Sequence, residues 1–335
     1  MSTTIRILKD GYWDRTSVVS REDGILRVRK ECRNTPRPGP WSHQALRNEI
    51  AYLRSLPRSV RIYFPPLLDS WDGDSPGYEI PFFGERRDVA QLLLDGCLDA
   101  GEATSIQQTL TEVILRGLHS GPQQDGVFFA RHLEEILEAA ITELARDPTF
   151  QEIAESPGVR INSRASVPGL RSALEATRKA GILSRLSTYP SVQLHGDLIL
   201  ENILWPGLML IDPVSVTGLT HGPPLFDLVK YESYASGELY AIRKKLVTAA
   251  PDPSGGYSYE VPWGCDELSP FRRIDLHSLF RAEYLSLQGP IDRQLYHLLD
   301  AYFSLVMARN TSGAEQFARV LKGCQCLAAA AHEGP

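Results

Sequence analysis

Apolar residues change their rhythm twice along this chain. Over the first eighty or so positions they come in short runs. Residues 5–8, 16–20 and 25–31 are β-branched or alternate apolar with polar, the period of a half-exposed strand. Arg21-Glu22-Asp23-Gly24 separates the second run from the third, and its Asp-Gly end signals a hairpin. Residues 34–40 are rich in proline and glycine and read as loop. From Ser42, a candidate N-cap, to Leu56, the spacing of Leu46, Ile50, Leu53 and Leu56 is that of one helix face. Strands are expected again at 67–71 and 78–82. The order β-β-β-α-β-β with short turns suits an antiparallel sheet with one helix packed on it.

After Phe83-Gly84 the period lengthens to that of helices, over 86–95, 104–119, 128–147 and 169–186. In the third of these Leu133, Ile136, Leu137, Ala140, Ile141 and Leu144 make one face. A compact β segment follows at 192–194, 203–205 and 208–211, punctuated by Pro206-Gly207. Helices return at 225–249, 271–288, 291–308 and 312–328. The pattern predicts an α+β chain of two lobes: a small antiparallel β-rich lobe over 1–83 and a larger, mainly helical lobe over 84–335.

Composition narrows the function classes. Of 335 residues, 43% are apolar and 23% charged, which is ordinary for a globular chain. The net charge of −6 disfavours a nucleic-acid binder that works by neutralising phosphates. The five cysteines, at 32, 97, 265, 324 and 326, are odd in number and scattered, so no disulfide framework is expected. No apolar signal core or membrane-length run is present, which predicts a cytoplasmic protein without a membrane partner. Lysine occurs at only seven positions, 9, 30, 179, 230, 244, 245 and 322. That scarcity makes each one worth following.

The densest chemistry lies between 192 and 227. His195-Gly196-Asp197 is followed by Asn202, five residues after the aspartate, then by Asp212 beyond an apolar strand, then by Asp227. This order resembles the catalytic loop and metal-binding aspartate of the protein-kinase-like superfamily. More narrowly it resembles the aminoglycoside phosphotransferase family, whose loop reads His-Gly-Asp. The resemblance implies a bilobal protein-kinase-like fold and an ATP-dependent O-phosphotransferase. It makes Asp197 the base that faces the attacking hydroxyl, Asn202 and Asp212 the magnesium ligands, and Asp227 a brace for the loop. A lysine on the third strand and a glutamate on the next helix are required in such a fold, and Lys30 and Glu49 stand there. Val28 would floor the adenine pocket, Ser17 or Thr16 would reach phosphate oxygens, and 78–84, with Phe82, would form the hinge.

The sequence also departs from that pattern. The turn over the phosphates, 11–17, has one glycine and two aromatic residues. Pro213-Val214 follows Asp212, which suggests a fixed active conformation. Ile199 occupies the position where protein kinases keep a lysine, and Gly196 replaces an arginine. Only a short, Gly- and Pro-rich segment separates Asp212 from Asp227, leaving little room to dock a peptide. The expected acceptor is a small hydroxylated molecule: an antibiotic, sugar, nucleoside or amino alcohol. Acidic candidates to bind it are Asp266, Glu267, Asp275 and Glu283, and the insert 251–270 reads as a loop over the acceptor. The competing expectation is a catalytically inactive protein of the same fold that binds nucleotide or a partner.

Overall fold

The computed structural model describes residues 3–10, 14–32, 40–162, 166–214, 217–253 and 255–332. Positions 11–13 of the expected phosphate turn, 34–39 of the expected loop, Ser254 and the side chain of Ser42 lie outside the described residues.

The first lobe follows the alternation closely. Strands β1 (Thr3–Asp10), β2 (Asp14–Ser20) and β3 (Leu26–Cys32) precede helix α1 (Pro40–Ser55). Strands β4 (Asp69–Trp71) and β5 (Gly77–Pro81) complete an antiparallel sheet of order β1-β2-β3-β5-β4. The β2–β3 turn closes as its Asp-Gly predicts: Gly24 takes φ +73°, and the Asp23 carboxylate accepts from Ile25 N at 2.9 Å.

Register assigns the faces. Lys30 lies opposite Thr16 and Tyr78, and Val28 opposite Val18 and Ile80. Directly opposed side chains share a face, so these residues form one surface. Ile50 of α1 covers it, packing with Tyr78, Ile80 and the partly buried Val28. Ser17, Arg29 and Glu79 form the other face. There the Glu79 carboxylate is fully buried and held by Arg29 at 2.7 Å and Arg21 at 2.8 Å.

The second lobe begins with a correction. Residues 86–95 are not one helix: Arg87–Asp88 form a short strand, β6, and only Val89–Leu94 is helical, α2, capped by Asp88. Helix α3 (Ala100–Leu110) runs into a π-helical turn, Thr111–Leu118. Then come α4 (Val127–Leu144), α5 (Gln151–Glu155), α6 (Leu170–Lys179) and α7 (Ile182–Ser187). The expected helix 169–186 is split between α6 and α7 because Gly181 takes φ +70°. Strands β7 (Val192–Gln193), β8 (Ile203–Trp205), β9 (Met209–Leu210) and β10 (His221–Gly222) flank the 195–202 segment.

Helices α8 (Leu225–Ala235) and α9 (Glu238–Arg243) replace the single expected helix 225–249, broken at Gly237 with φ +89°. The insert 251–270, expected as a loop, carries regular structure. Strands β11 (Thr248–Pro251) and β12 (Tyr257–Glu260) pair as a hairpin, followed by the short helix α10 (Ser269–Arg273). Helices α11 (Ser278–Gln288), α12 (Arg293–Ala308) and α13 (Gly313–His332) close the chain. The hairpin packs against α13, where the Tyr257 ring lies 5.9 Å from Phe317, and Tyr259 donates to Glu238 of α9 at 2.7 Å. No described helix is long and apolar enough to cross a membrane.

Helix α1 belongs to both lobes. Ile50 packs on the sheet, whereas Tyr52, Leu53 and Leu56 join the large core with Val60 and Phe64. The centre of that core is a ring cluster. Phe226 lies 4.6 Å from Phe303, 5.6 Å from Phe129 and 6.0 Å from Tyr302, centroid to centroid. Phe226 is fully buried and adjoins Asp227. Phe226→Ala is expected to cost about 3–5 kcal/mol, through lost burial and the cavity left behind. Urea titration should show a lower midpoint with an unchanged slope.

Candidate active site

The loop expected to be catalytic, 195–202, hangs from one buried carboxylate. Asp227, in the first turn of α8, is fully buried. Its Oδ2 accepts from His195 N at 2.9 Å and its Oδ1 from Gly196 N at 2.8 Å. His119, just past the π turn, adds a third contact through Nε2 at 3.0 Å. Gly196 takes φ +84°, which a side chain would resist, so glycine suits the tight turn before Asp197. The His195 ring is buried and stacks 6.1 Å from Phe64; burial lowers its pKa and keeps it neutral. Asp197 N lies 3.3 Å from His195 Nδ1, and His195 O accepts from Val214 N at 2.6 Å. The loop is therefore fixed on both sides of its turn.

The Asp197 carboxylate is gripped from two directions. Oδ2 accepts from Asn202 Nδ2 at 3.0 Å, and Oδ1 meets Lys230 Nζ, from α8, at 3.0 Å. Burial alone would raise this carboxyl, but the Lys230 ammonium outweighs it and holds the pKa below the usual range. Asn202 Nδ2 also donates to Asp197 O at 2.8 Å. Both amide hydrogens are thus spent on Asp197, which leaves the amide oxygen for a cation.

Across the cleft stands a second cluster. Lys30 Nζ lies 2.9 Å from Glu49 Oε2 and 3.0 Å from Asp212 Oδ1. Tyr78 donates to Glu49 Oε1 at 2.6 Å. Asp14 reaches Lys30 at 3.4 Å, and Lys9 reaches Asp212 Oδ2 at 3.6 Å. Burial opposes ionisation of Asp212, yet Lys30 and Lys9 together bring its pKa down to about 2. Glu49 behaves oppositely: burial raises it to about 7, against the pull of Lys30. Lys30 itself is raised well above its ordinary value, because Asp212 and Glu49 overcome the cost of burial. Asp212 has φ +51° and Val214 φ +83°, the latter a strained value for a β-branched residue. That turn aims Asp212 at Lys30. Ile211 N donates to Asn202 O at 3.0 Å and joins the two turns that carry the expected metal ligands.

These residues fit a magnesium ion. One carboxylate and one amide oxygen are hard oxygen donors, and magnesium usually takes the rest of its shell from phosphates and water. Among the described residues no group of three or more His, Cys, Asp or Glu could hold a metal ion, so phosphate oxygens would have to contribute.

Of the expected residues, the structure brings Lys30, Glu49 and Asp212 into one cluster and Asp197, Asn202 and Asp227 into another. Two do not join them. Ser17 is buried on the sheet face opposite Lys30, aligned with Arg29, so strand parity turns it away from the phosphate side; Thr16 shares the Lys30 face. Phe82 lies just past β5, half-buried and folded against Gly84. Two acidic acceptor candidates have structural partners: Asp275 accepts from Ser278 N at 2.9 Å at the start of α11, and Glu283 pairs with Arg116 at 3.0 Å. Asp266 and Glu267 are exposed. Sequence reasoning gave no role to Lys9, Asp14 or Lys230, and placed Tyr78 only in the hinge, not against Glu49. For the two lysines the signal was their rarity.

No protein-family model matches the chain, and no curated protein matches it. Solved structures do. A putative fructosamine-3-kinase from Thermobifida fusca aligns with a TM-score of 0.52 at 13% identity, over 97% of this chain and 93% of that one. An aminoglycoside phosphotransferase in ternary complex with AMP-PNP and hygromycin B aligns at 0.55 and 12%, over 100% and 96%. A choline kinase from Streptococcus pneumoniae aligns at 0.53 and 11%, over 98% and 94%. The fold is thus the protein-kinase-like fold of small-molecule kinases.

Asp227→Ala would leave two buried backbone N–H groups and the His119 ring without their acceptor. A loss of roughly 2–5 kcal/mol is expected in urea titration. Amide exchange at His195 and Gly196 should accelerate more than exchange in the first-lobe sheet.

Proposed function

We propose that the protein is a magnesium-dependent phosphotransferase that moves the γ-phosphate of ATP to a hydroxyl of a small molecule. One observation carries this reading: the 3.0 Å contact between Lys30 and Asp212, 182 residues apart. It brings together, from the N-terminal sheet and the loop after β9, the ammonium that would bind phosphate and the carboxylate that would bind metal. Residues 1–83 would hold the nucleotide, and 84–335 would supply the catalytic loop and the acceptor pocket. ATP as co-substrate fits a cytoplasmic setting.

The chain's own groups divide the work. Lys30, held by Glu49, would meet the α- and β-phosphates. Asn202 and Asp212 would hold magnesium, which neutralises charge between the phosphates. Asp197 would hydrogen-bond the acceptor hydroxyl and take its proton as the new O–P bond forms. The bond from phosphorus to the β-phosphate oxygen breaks, and ADP leaves. The depressed pKa of Asp197 makes it a weak base at rest, so orienting the hydroxyl is its first task. Small hydroxylated acceptors are supported by the fold neighbours, whose complexes and names include hygromycin B and choline.

A second reading, binding without catalysis, has one observation in its favour. Asp14 places a carboxylate 3.4 Å from Lys30, on the side phosphates would approach. A screen of Mg-ATP consumption against hydroxylated antibiotics, sugars, nucleosides and amino alcohols separates the two, with product mass showing one added phosphate. Phosphotransfer predicts at least one such product. It also predicts that Asp197→Ala lowers turnover about 10²–10⁴-fold while nucleotide still binds. Asp212→Ala should abolish activity together with its magnesium dependence. If no acceptor is phosphorylated and Asp197→Ala matches the parent in every assay, the second reading stands.

A further inference from the structure

Lys230 is the ammonium that meets the carboxylate of Asp197. It lies on α8 three residues after Asp227, so both project from one helix face. The turn that braces the catalytic loop therefore also aims a cation at it. Nζ stands 3.0 Å from Asp197 Oδ1 and 4.9 Å from the centre of the Phe303 ring. The side chain is only 11% exposed. Within the loop itself, position 199 is a buried isoleucine and offers no charge.

A nearly buried ammonium is costly to keep, and one surface-facing carboxylate repays that cost poorly. A leucine or methionine at 230 could pack against Phe303 without it. The charge has a use if a further anion arrives. Resting on the proposed phosphotransfer, the acceptor hydroxyl must sit within hydrogen-bond reach of Asp197. The phosphorus attacked by that hydroxyl then lies roughly 4–6 Å from the carboxylate, within reach of the same ammonium. Lys230 has three donors, and Asp197 takes one.

We propose that Lys230 bridges Asp197 and the phosphoryl group in flight, supplying from α8 the cation that position 199 lacks. As the acceptor oxygen bonds to phosphorus and the bond to ADP breaks, negative charge spreads over the three equatorial phosphoryl oxygens. The acceptor proton passes to Asp197. Lys230 keeps its proton and hydrogen-bonds one of those oxygens while holding the carboxylate in place.

The test is calorimetry of Mg-ADP binding with and without fluoroaluminate, a mimic of the transferring phosphoryl group, which needs no knowledge of the acceptor. In the parent, fluoroaluminate should tighten ADP binding. Lys230→Met should bind Mg-ADP within about twofold of the parent yet lose about tenfold or more of the fluoroaluminate gain. Lys230→Arg should recover part of it. Thermal unfolding of both variants checks that the fold is intact. The proposal is overturned if Lys230→Met keeps the parent's gain, or if it loses ADP and fluoroaluminate binding in equal measure. A parent that binds no Mg-ADP at all would instead bring down the phosphotransferase reading, and this one with it.

Discussion

A carboxylate sealed from water must find its hydrogen-bond donors in protein, and Asp227 finds them in the 195–202 loop's backbone and in His119. The loop's shape follows from that constraint. His195 N and Gly196 N are pinned to the start of α8, so the next residue, Asp197, leaves the turn in one direction only. The ring cluster around Phe226 holds α8 in place, and His119 ties the brace to the preceding π turn. The turn before Asp197 is thus tied to the hydrophobic core chiefly through the Asp227 side chain.

Its charges are arranged in two groups. Around Lys30 stand three carboxylates, Asp14, Glu49 and Asp212, with Lys9 on the far side of Asp212. Lys30 and Lys9 hold Asp212 ionised, whereas burial raises Glu49 to about 7, so the firmest negative charge of this group is Asp212. The wall around Asp197 is balanced by Lys230. The contrast matches the two tasks of the proposed reaction, holding a metal–nucleotide on one side and steering a neutral hydroxyl on the other.

Much of this was legible from residue order. Strand alternation and the Asp-Gly turn gave the sheet, and the run from His195 to Asp212 gave the loop, because spacing within a local segment survives folding. Lys30 and Glu49 were legible because each lies on a regular element with a defined face. Elsewhere periodicity ran past its limits. Gly181 and Gly237 interrupt apparently continuous helices by taking positive φ, which apolar spacing cannot reveal. Between Thr16 and Ser17 the parity of the strand decides the face, and it puts Thr16, not Ser17, on the side of Lys30. Lys230 gained meaning only when α8 was docked under the loop, for its partner is 33 residues away in sequence.

Helix α1 has one half in each core, and its Asn48 donates to Gly218 O of the larger lobe at 3.0 Å. The lobes therefore cannot part like the halves of a shell. In the proposed reaction the sheet and Glu49 would turn together about the buried end near Tyr52, Leu53 and Leu56, so that Lys30 would leave Asp212 while keeping Glu49. Nucleotide exchange would then require the contacts of both Lys30 and Lys9 with Asp212 to break.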